Sequence, residues 1–301
     1  MKSVKLIDFS SRHEQYIQNP DGSFSHMDEA YFESVKTAPG TWRILSSGDF
    51  SYLVEGENEA LAIDTGYGAG NIREYMQSLT EKPVKSVVNT HDHFDHTANN
   101  GYFEQAFMSQ ETGRLATIPS PSFAGITFPQ DYKRIIIGEG YIFHLGERDL
   151  EVFAFPDHAA GSIVLLDRRE RLLFSGDELT EGEKHLNGGL TSFAENLRKL
   201  AAHRGEFDTL CAGQGHFDAA VIDRLLACAE YILDGHEGEI PRPHKFRLPE
   251  ITAPDGSRAY HRQMPHPEDM HFDGEGADMS YLRQVEYAGT SITYDIRLRE
   301  K

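Results

Sequence analysis

The chain has 301 residues, enough for one large α/β domain or a main domain with an appendage, and for a sizeable buried core. Its 29 lysines and arginines stand against 48 aspartates and glutamates, which gives a formal net charge of −19. Such a negative charge repels phosphate backbones and anionic membranes. We therefore expect neither a nucleic acid nor a membrane as a partner.

The start of the chain lacks the apolar stretch of a signal peptide, and no segment is apolar over the roughly 18 residues that a membrane helix requires. Two cysteines, Cys211 and Cys228, are too few for a disulfide framework. A cytoplasmic location is therefore expected.

The first 40 residues are polar and mixed, and we interpret residues 1–40 as an N-terminal extension packed on the core. From Thr41 the pattern predicts short apolar strands, at residues 42–45, 50–54 and 60–63. A helix is predicted over residues 71–79, where Ile72, Tyr75 and Met76 share one face. Residues 84–88 are typical of a buried strand, and this run leads directly into a histidine cluster.

That cluster is the most informative stretch of the chain, because three imidazoles and two carboxylates fall within six consecutive residues, 91–96. Its pattern is H-x-H-x-D-H, formed by His91, His93, Asp95 and His96. Imidazole and carboxylate are the ligands that zinc, iron and similar divalent metals prefer. The pattern therefore predicts a metal site.

Strands are predicted beyond the cluster at residues 134–137, 141–145, 150–155, 163–166, 172–174 and 209–212. The strands at 163–166 and 172–174 read as a hairpin around a charged turn. Helices are predicted over 193–202 and 219–233, and the second has an apolar stripe of Val221, Leu225, Cys228 and Ile232.

After Gly235 the composition shifts towards proline and short alternating patterns, so residues 238–301 are interpreted as a β-rich appendage of the same domain. The main domain is then expected to span residues 41–237. A last strand is predicted over 292–298.

Four more candidate residues stand where short apolar strands end. They are Asp64, His158, Asp177 and His216. Since an α/β sheet presents its functional loops at the carboxyl ends of its strands, these side chains are expected to converge with the histidine cluster.

The histidine cluster and these four residues, in their order along the chain, resemble the pattern of the metallo-β-lactamase superfamily. The resemblance is to its glyoxalase II-like and lactonase-like members and covers roughly residues 41–235. The resemblance implies an α+β fold, a four-layer αββα sandwich with metals at one edge. It also implies two divalent metal ions, zinc first, with iron or manganese as alternatives. One ion would be held by His91, His93 and His158, and the other by Asp95, His96 and a last histidine. Asp177 would bridge both ions. Asp64 would support the ligand loop by hydrogen bonds.

The last ligand departs from the family pattern, in which a histidine usually sits in a Gly-His-Gly type turn. This chain has Gly213-Gln214-Gly215-His216. A gapless match puts Gln214 at the ligand position, and glutamine is a poor zinc ligand. We favour His216, two residues further along a glycine-rich loop. His185 and Asn187 follow Asp177 closely and are further candidates for lining a substrate pocket.

The simplest use of such a site is hydrolysis by a metal-held hydroxide, with Asp95 as a proton carrier. We expect an enzyme that cleaves a small-molecule ester, thioester or lactone, and self-association into a homodimer stays open. One alternative is a sulfur dioxygenase with a single iron, and another is a non-catalytic scaffold. The intact ligand set argues against the scaffold.

Overall fold

The structure is a computed structural model that describes residues 7–8, 15–116, 127–128, 132–241, 245–247, 250–263, 271–273 and 279–300. The chain divides into two compact units. The first contains residues 1–151 and 250–264, and the second contains residues 152–249 and 265–301. None of the helices in the described part of the chain has the length and apolar character needed to cross a bilayer.

The first unit is built mainly from strands, with three short α-helices among its described residues. The helices are Ile72–Ser78, Phe94–Thr97 and Gln110–Leu115. The strands are Ile7–Asp8, Tyr16–Gln18, Phe24–His26, Glu33–Ala38, Thr41–Leu45, Phe50–Glu55, Ala60–Ile63, Val84–Val88, Gln105–Met108, Thr127–Phe128, Lys133–Ile136, Ile142–His144, Ile251–Thr252 and Arg258–His261.

A mixed seven-stranded sheet dominates this unit, and the pairing of its strands changes from antiparallel to parallel at one strand, Ala60–Ile63. Ala60–Ile63 pairs in parallel with Val84–Val88 on one side and antiparallel with Phe50–Glu55 on the other. Parallel pairing continues outward from Val84–Val88, and antiparallel pairing continues to Glu33–Ala38 at the opposite edge. Parallel strands end at one edge of a sheet, and an antiparallel neighbour begins there.

The core of the first unit lies between one face of this sheet and the helix Ile72–Ser78. The helix begins at the cap Asn71, whose side chain accepts a hydrogen bond from Glu74 N at 3.2 Å. Ile72 and Met76 are fully buried against Leu53 and its neighbours on the strands. The predicted helix and its apolar face are therefore confirmed.

The second unit has two long helices, Leu190–Ala202 and Ala220–Leu233. Single 3₁₀ turns lie at Arg204–Glu206 and Ile296–Leu298. The strand Asp149–Ala154 leads into this unit from the first, and the strands that follow it are Ile163–Asp167, Leu172–Gly176, Glu183–His185, Thr209–Ala212, Gly215–Asp218, Lys245–Arg247, His271–Asp273, Leu282–Tyr287 and Thr290–Asp295.

Five of these strands share one sheet, whose apolar face is covered by the two long helices: Asp149–Ala154, Ile163–Asp167, Leu172–Gly176, Thr209–Ala212 and Gly215–Asp218. Ile163–Asp167 and Leu172–Gly176 pair antiparallel, which confirms the predicted hairpin, and Leu172–Gly176 pairs in parallel with Thr209–Ala212. The predicted stripe of the last helix is buried in the same cluster as Leu173 and Leu210. Its residues Val221, Leu225, Cys228 and Ile232 are at most 2% exposed.

The β-rich C-terminal stretch divides between the two units. Arg258–His261 pairs in parallel with Tyr16–Gln18 in the first unit, with Ile17 opposite Tyr260. Leu282–Tyr287 and Thr290–Asp295 form a hairpin in the second unit, and Thr290–Asp295 also pairs with Glu183–His185. The stretch therefore contributes strands to each unit.

Candidate metal centre

In the first unit, the candidate residues gather where the central strands end. Ala60–Ile63 is followed by Asp64, and Val84–Val88 is followed by Asn89, Thr90 and the histidine cluster. Because these strands are parallel and adjacent, both of their carboxyl ends lie at the same edge of the sheet. The predicted convergence of Asp64 with the histidine cluster follows from this pairing.

Asp64 connects the two strand ends through three hydrogen bonds. Its Oδ1 accepts from Thr90 N at 2.8 Å, and its Oδ2 accepts from Thr90 Oγ1 at 2.7 Å and faces His96 Nδ1 at 2.8 Å. The residue is 3% exposed, and its φ of 57° lies in the left-handed region that side chains other than glycine, asparagine and aspartate rarely adopt. Asp64 is thus held in this left-handed conformation by three hydrogen-bond partners.

These contacts determine which nitrogen of each imidazole is available as a ligand. A carboxylate only accepts hydrogen bonds, so His96 Nδ1 carries a proton towards Asp64 and its Nε2 keeps the lone pair. Since the Thr90 hydroxyl donates to Asp64, its oxygen accepts from His91 Nδ1 at 3.1 Å. His91 therefore also presents an unprotonated Nε2, which is the form that binds a metal.

A short helix brings the rest of the motif together. His93 is the cap of the helix Phe94–Thr97, and Asp95 lies in its first turn. The His91 ring centroid lies 4.6 Å from that of His93 and 4.1 Å from that of His96. The His96 carbonyl accepts from Asn89 Nδ2 at 2.9 Å, which ties the helix back to the strand. Three imidazoles and one carboxylate are thereby clustered within the first unit.

The structure adds Asp49, which the sequence interpretation missed. Asp49 is 4% exposed, and its Oδ2 lies 3.4 Å from His96 Nε2. One ligand atom each of Asp49, Asp95 and His96 lie within 4.8 Å of one another. The signal that points to Asp49 is topological, because it precedes Phe50–Glu55, and this strand begins at the edge where its antiparallel neighbour Ala60–Ile63 ends.

The donor set in this unit fits a divalent metal. Two donor atoms at about 2.0–2.1 Å from one tetrahedral ion lie about 3.4 Å apart. The measured distance from His96 Nε2 to Asp49 Oδ2 is 3.4 Å. Both residues are buried, and the imidazole is oriented by a hydrogen-bonded carboxylate, as is usual for metal-binding histidines.

Tyr67 lies beside these carboxylates. It is 7% exposed, and its pKa lies well above the usual range. Burial is the main cause, a hydrogen bond with Ser47 acts in the opposite direction, and the negative charges of Asp95 and Asp49 raise the pKa further. The phenol therefore stays protonated at neutral pH.

In the second unit, His158 and Asp177 lie together after their strands. His158 Nε2 is 3.6 Å from Asp177 Oδ2, close to the spacing of two ligands on one ion. His158 follows the strand Asp149–Ala154. Asp177 follows Leu172–Gly176, whose last residue, Gly176, has a positive φ of 50°.

A buried carboxylate organises the backbone around His158. Glu178 accepts from His158 N with both oxygens, at 2.8 and 3.0 Å, and its side chain is 2% exposed. Lys184 Nζ lies 3.4 Å from Glu178 Oε2 and 2.9 Å from Asp157 Oδ2. Asp157 Oδ1 in turn accepts from Gly188 N at 3.0 Å. The ion-pair network thus fixes the loop that presents His158.

The pKa of Glu178 and the pKa of Lys184 are both raised above their ordinary values, each for a different reason. Burial raises the pKa of Glu178, and the Lys184 ammonium opposes this effect only in part. Burial acts to lower the pKa of Lys184, but the carboxylates of Glu178 and Asp157 together outweigh it, so that this pKa is raised. Lys184 is therefore firmly protonated at neutral pH.

The remaining predicted residues lie elsewhere in the second unit. Asn187 Nδ2 donates to the His158 carbonyl at 3.0 Å, whereas His185 is exposed on a strand next to the buried Lys184. Gln214 lies in the turn after Thr209–Ala212, where Gly213 N donates to Gly176 O at 3.0 Å. His216 lies on the strand Gly215–Asp218, opposite Cys211, so the predicted flexible loop is a strand at this position.

A comparison of the sequence with models of protein families agrees with this fold and this site. The sequence model of the metallo-β-lactamase superfamily matches residues 48–216, more than half of the chain. The chain belongs to the metallo-β-lactamase superfamily. The family implies binding of divalent metal, and the first unit contains the corresponding cluster of histidine and aspartate.

A solved metallo-β-lactamase has the same fold. The chain resembles a crystal structure of FIM-1 from Pseudomonas aeruginosa in the mono-zinc form, with a TM-score of 0.53 at 16% identity. The likeness covers 68% of this chain and 97% of that one. It confirms the predicted metallo-β-lactamase fold and α+β class.

Two curated proteins are similar to this chain in sequence. The human acyl-coenzyme A thioesterase MBLAC2 is 30% identical over 162 residues, which are 44% of this chain and 58% of that protein. The chain therefore matches little more than half of the length of that thioesterase. The alpha subunit of a 2,4-dinitroanisole O-demethylase from Nocardioides sp. (strain JS1661) is 26% identical over 254 residues, 75% of each chain.

Proposed function

We propose that this protein is a metal-dependent hydrolase that cleaves a small-molecule ester, thioester or lactone. The observation that carries the proposal is the Asp64 network, which leaves Nε2 of both His91 and His96 unprotonated, with His96 beside Asp95. Similarity to an acyl-coenzyme A thioesterase puts thioesters first among the substrates. The ligands in this proposal are the residues that the sequence resemblance implies: His91, His93, Asp95, His96, His158 and Asp177.

When bound, two divalent ions, with zinc as the first expectation, supply Lewis acidity and a water of lowered pKa. The chain's own residues do the rest. Asp64 holds two imidazoles in the required tautomer, and the Glu178 network holds the backbone of His158. Asp95, in the first turn of its helix, takes a proton from the attacking water and returns it to the leaving group.

The test combines metal analysis with a panel of substrates. Purified protein is analysed for metal by mass spectrometry and assayed with acyl-coenzyme A thioesters, aryl esters and lactones. We expect divalent metal and hydrolysis of at least one acyl substrate, and Asp95→Asn should lower kcat by about 100-fold or more, the scale of a general acid–base contribution. Asp149→Asn serves as the matched control, because Asp149 pairs with the exposed His144 at 2.9 Å.

Metal without acyl hydrolysis would contradict the proposed reaction. One iron ion together with oxygen uptake on thiol substrates would favour the sulfur dioxygenase instead. A protein that binds no metal would leave the non-catalytic scaffold as the better interpretation.

Cleavage of an activated aryl methyl ether is a second candidate. One finding favours it, since the match to the demethylase subunit covers 75% of each chain and extends beyond residues 48–216. Hydrolysis of such an ether gives a phenol and methanol. Including 2,4-dinitroanisole in the panel tests this candidate, because the released dinitrophenolate is coloured.

We also propose a reducing compartment, the cytoplasm, with no nucleic-acid or membrane partner. Cys211 and Cys228 are both buried free thiols, as expected where disulfides do not form. Burial raises the pKa of Cys228 to about 11, so this thiol is unreactive at neutral pH.

A further inference from the structure

Asp49 occupies a position that the family pattern does not use. Its carboxylate is buried, and Oδ2 lies 3.4 Å from His96 Nε2. The Asp64 contact at 2.8 Å fixes the opposite side of the same imidazole. Nε2 of His96 is thereby directed towards the two carboxylates of Asp49 and Asp95.

The loop that carries Asp49 is anchored on its N-terminal side. Gly48 N donates to the Arg262 carbonyl at 2.6 Å, and Arg262 Nη1 donates to Ser46 O at 2.8 Å. Gly48 has a φ of +72°, and a Cβ there would lie 2.4 Å from Tyr67 Cε1, so only glycine fits. Asp49 therefore sits on rigid backbone.

Arg262 is itself immobilised. It is 1% exposed, and its Nε donates to Asn19 Oδ1 at 2.5 Å while its Nη2 donates to Ser25 Oγ at 2.7 Å. Every guanidinium nitrogen thus holds a named partner. A ligand that must be kept within a few tenths of an ångström benefits from such support.

The gapless position of the last ligand is occupied by Gln214, an amide that is a weaker donor than an imidazole or a carboxylate. Gln214 lies in the turn, and His216 lies two residues further, on a strand. Phe217 packs into the apolar cluster of the second unit. Because neighbouring side chains on a strand point to opposite faces, the His216 imidazole points away from that cluster, on the same face as its partner Cys211.

We propose that Asp49 is a direct ligand of the metal ion held by Asp95 and His96. The inference rests on the proposed function, since it assumes a metal-dependent enzyme. Two carboxylates and one imidazole make this ion's donor set richer in oxygen than one built from three histidines. Oxygen donors suit manganese, whereas imidazole suits zinc and iron, so this position should take up Mn²⁺ more readily than the three-histidine position does.

The experiment compares metal binding by the wild type, Asp49→Asn, Asp92→Asn and His216→Ala. Asparagine keeps the size of the side chain and removes its charge. Asp92 is the matched control because it lies between His91 and His93 in the sequence but is not one of the proposed ligands. Metal-free protein is titrated with Mn²⁺ and Zn²⁺, and bound metal is counted by mass spectrometry.

We expect two ions per chain in the wild type and in Asp92→Asn, and one in Asp49→Asn. Affinity for the second ion should fall by more than about 100-fold, because losing a direct ligand costs more than the ~10–100-fold of a supporting hydrogen bond. An anomalous-scattering map of the loaded wild type gives a second readout that needs no variant. An ion about 2.0–2.2 Å from an Asp49 oxygen supports the inference.

Two ions in Asp49→Asn with unchanged affinity would overturn the inference, as would an ion more than about 3 Å from the Asp49 carboxylate. Loss of the second ion in His216→Ala alone would assign the role to that histidine instead. Failure of the wild type to bind any divalent metal would overturn both this inference and the proposed function. The first two results would leave the proposed function standing.

Discussion

Replacing Asp64 with asparagine tests whether one buried carboxylate controls the metal affinity of the whole histidine cluster. Asp64 accepts three hydrogen bonds, from Thr90 N, Thr90 Oγ1 and His96 Nδ1, at 2.7–2.8 Å. Asparagine has one acceptor oxygen, so in either orientation of its amide at least one of these donors meets an NH₂ group. Asparagine tolerates the left-handed φ of 57°, which keeps backbone strain out of the comparison.

The expected magnitude follows from this count. Each buried donor left without an acceptor costs about 1–3 kcal/mol, so the metal-free variant should lose about 1–3 kcal/mol in free energy of unfolding with one donor unmatched and about 2–6 kcal/mol with two. If His96 responds by moving its proton to Nε2, it no longer offers that nitrogen to a metal. Metal affinity should then fall by about 10–100-fold, or about 1.4–2.7 kcal/mol.

The assay is competition with a chromophoric chelator, alongside urea unfolding of the metal-free protein. Asp149→Asn is the control, because it removes an Asp–His pair that is exposed and remote in sequence from the motif. It should change neither quantity by more than about 0.5 kcal/mol. If Asp64→Asn lost stability but bound metal as tightly as the wild type, the tautomer argument would be refuted and Asp64 would be a structural residue only.

Three further outcomes are expected. Lys184→Met leaves two buried carboxylates without their cation and should cost about 3–5 kcal/mol in urea unfolding at pH 8. This difference should shrink as the pH rises beyond the ordinary lysine pKa of 10.5. A raised lysine pKa stabilises the fold below that pH, and the contribution is lost above it. An undiminished difference at alkaline pH would contradict the pairing. Phe155→Ala removes a fully buried ring and should cost about 3–5 kcal/mol, against less than about 1 kcal/mol for the exposed Ile296→Ala. Arg262→Gln should cost about 3 kcal/mol and make the 46–49 loop accessible to amide hydrogen exchange, and full retained protection there would show that the loop does not depend on Arg262.

The bounds of strands could be predicted best where a short, mainly apolar segment has to be buried in a sheet. Ala60–Ile63, Val84–Val88 and Thr209–Ala212 have the predicted bounds. Ala60–Ile63 is continuously apolar and buried on both faces, and the ends of the first two strands locate Asp64 and the histidine cluster. The last strand is shorter than its alternating pattern predicted, because Asp295 accepts from Arg297 N at 2.8 Å and starts a 3₁₀ turn.

Other features depend on pairing between distant segments and could not be predicted from local pattern. Asp49 stands out only once the register of Phe50–Glu55 against Ala60–Ile63 is known. Lys184 reads as a surface residue, yet it is 6% exposed because Asp157 and Glu178 neutralise it. The strand Gly215–Asp218 has glycine-rich neighbours that indicate a turn, and pairing with Thr209–Ala212 makes it a strand.

The anchoring of the 46–49 loop by Arg262 sets an order of events during synthesis. Residue 262 follows residue 49 by 213 positions, so at about 5–20 residues per second it is added about 10–40 s later. During that interval the seven-stranded sheet can form, but the loop has neither its backbone partner nor the guanidinium that holds Ser46. In the newly made first unit, the 46–49 loop therefore lacks its contacts with Arg262 until the ribosome has added most of the second unit.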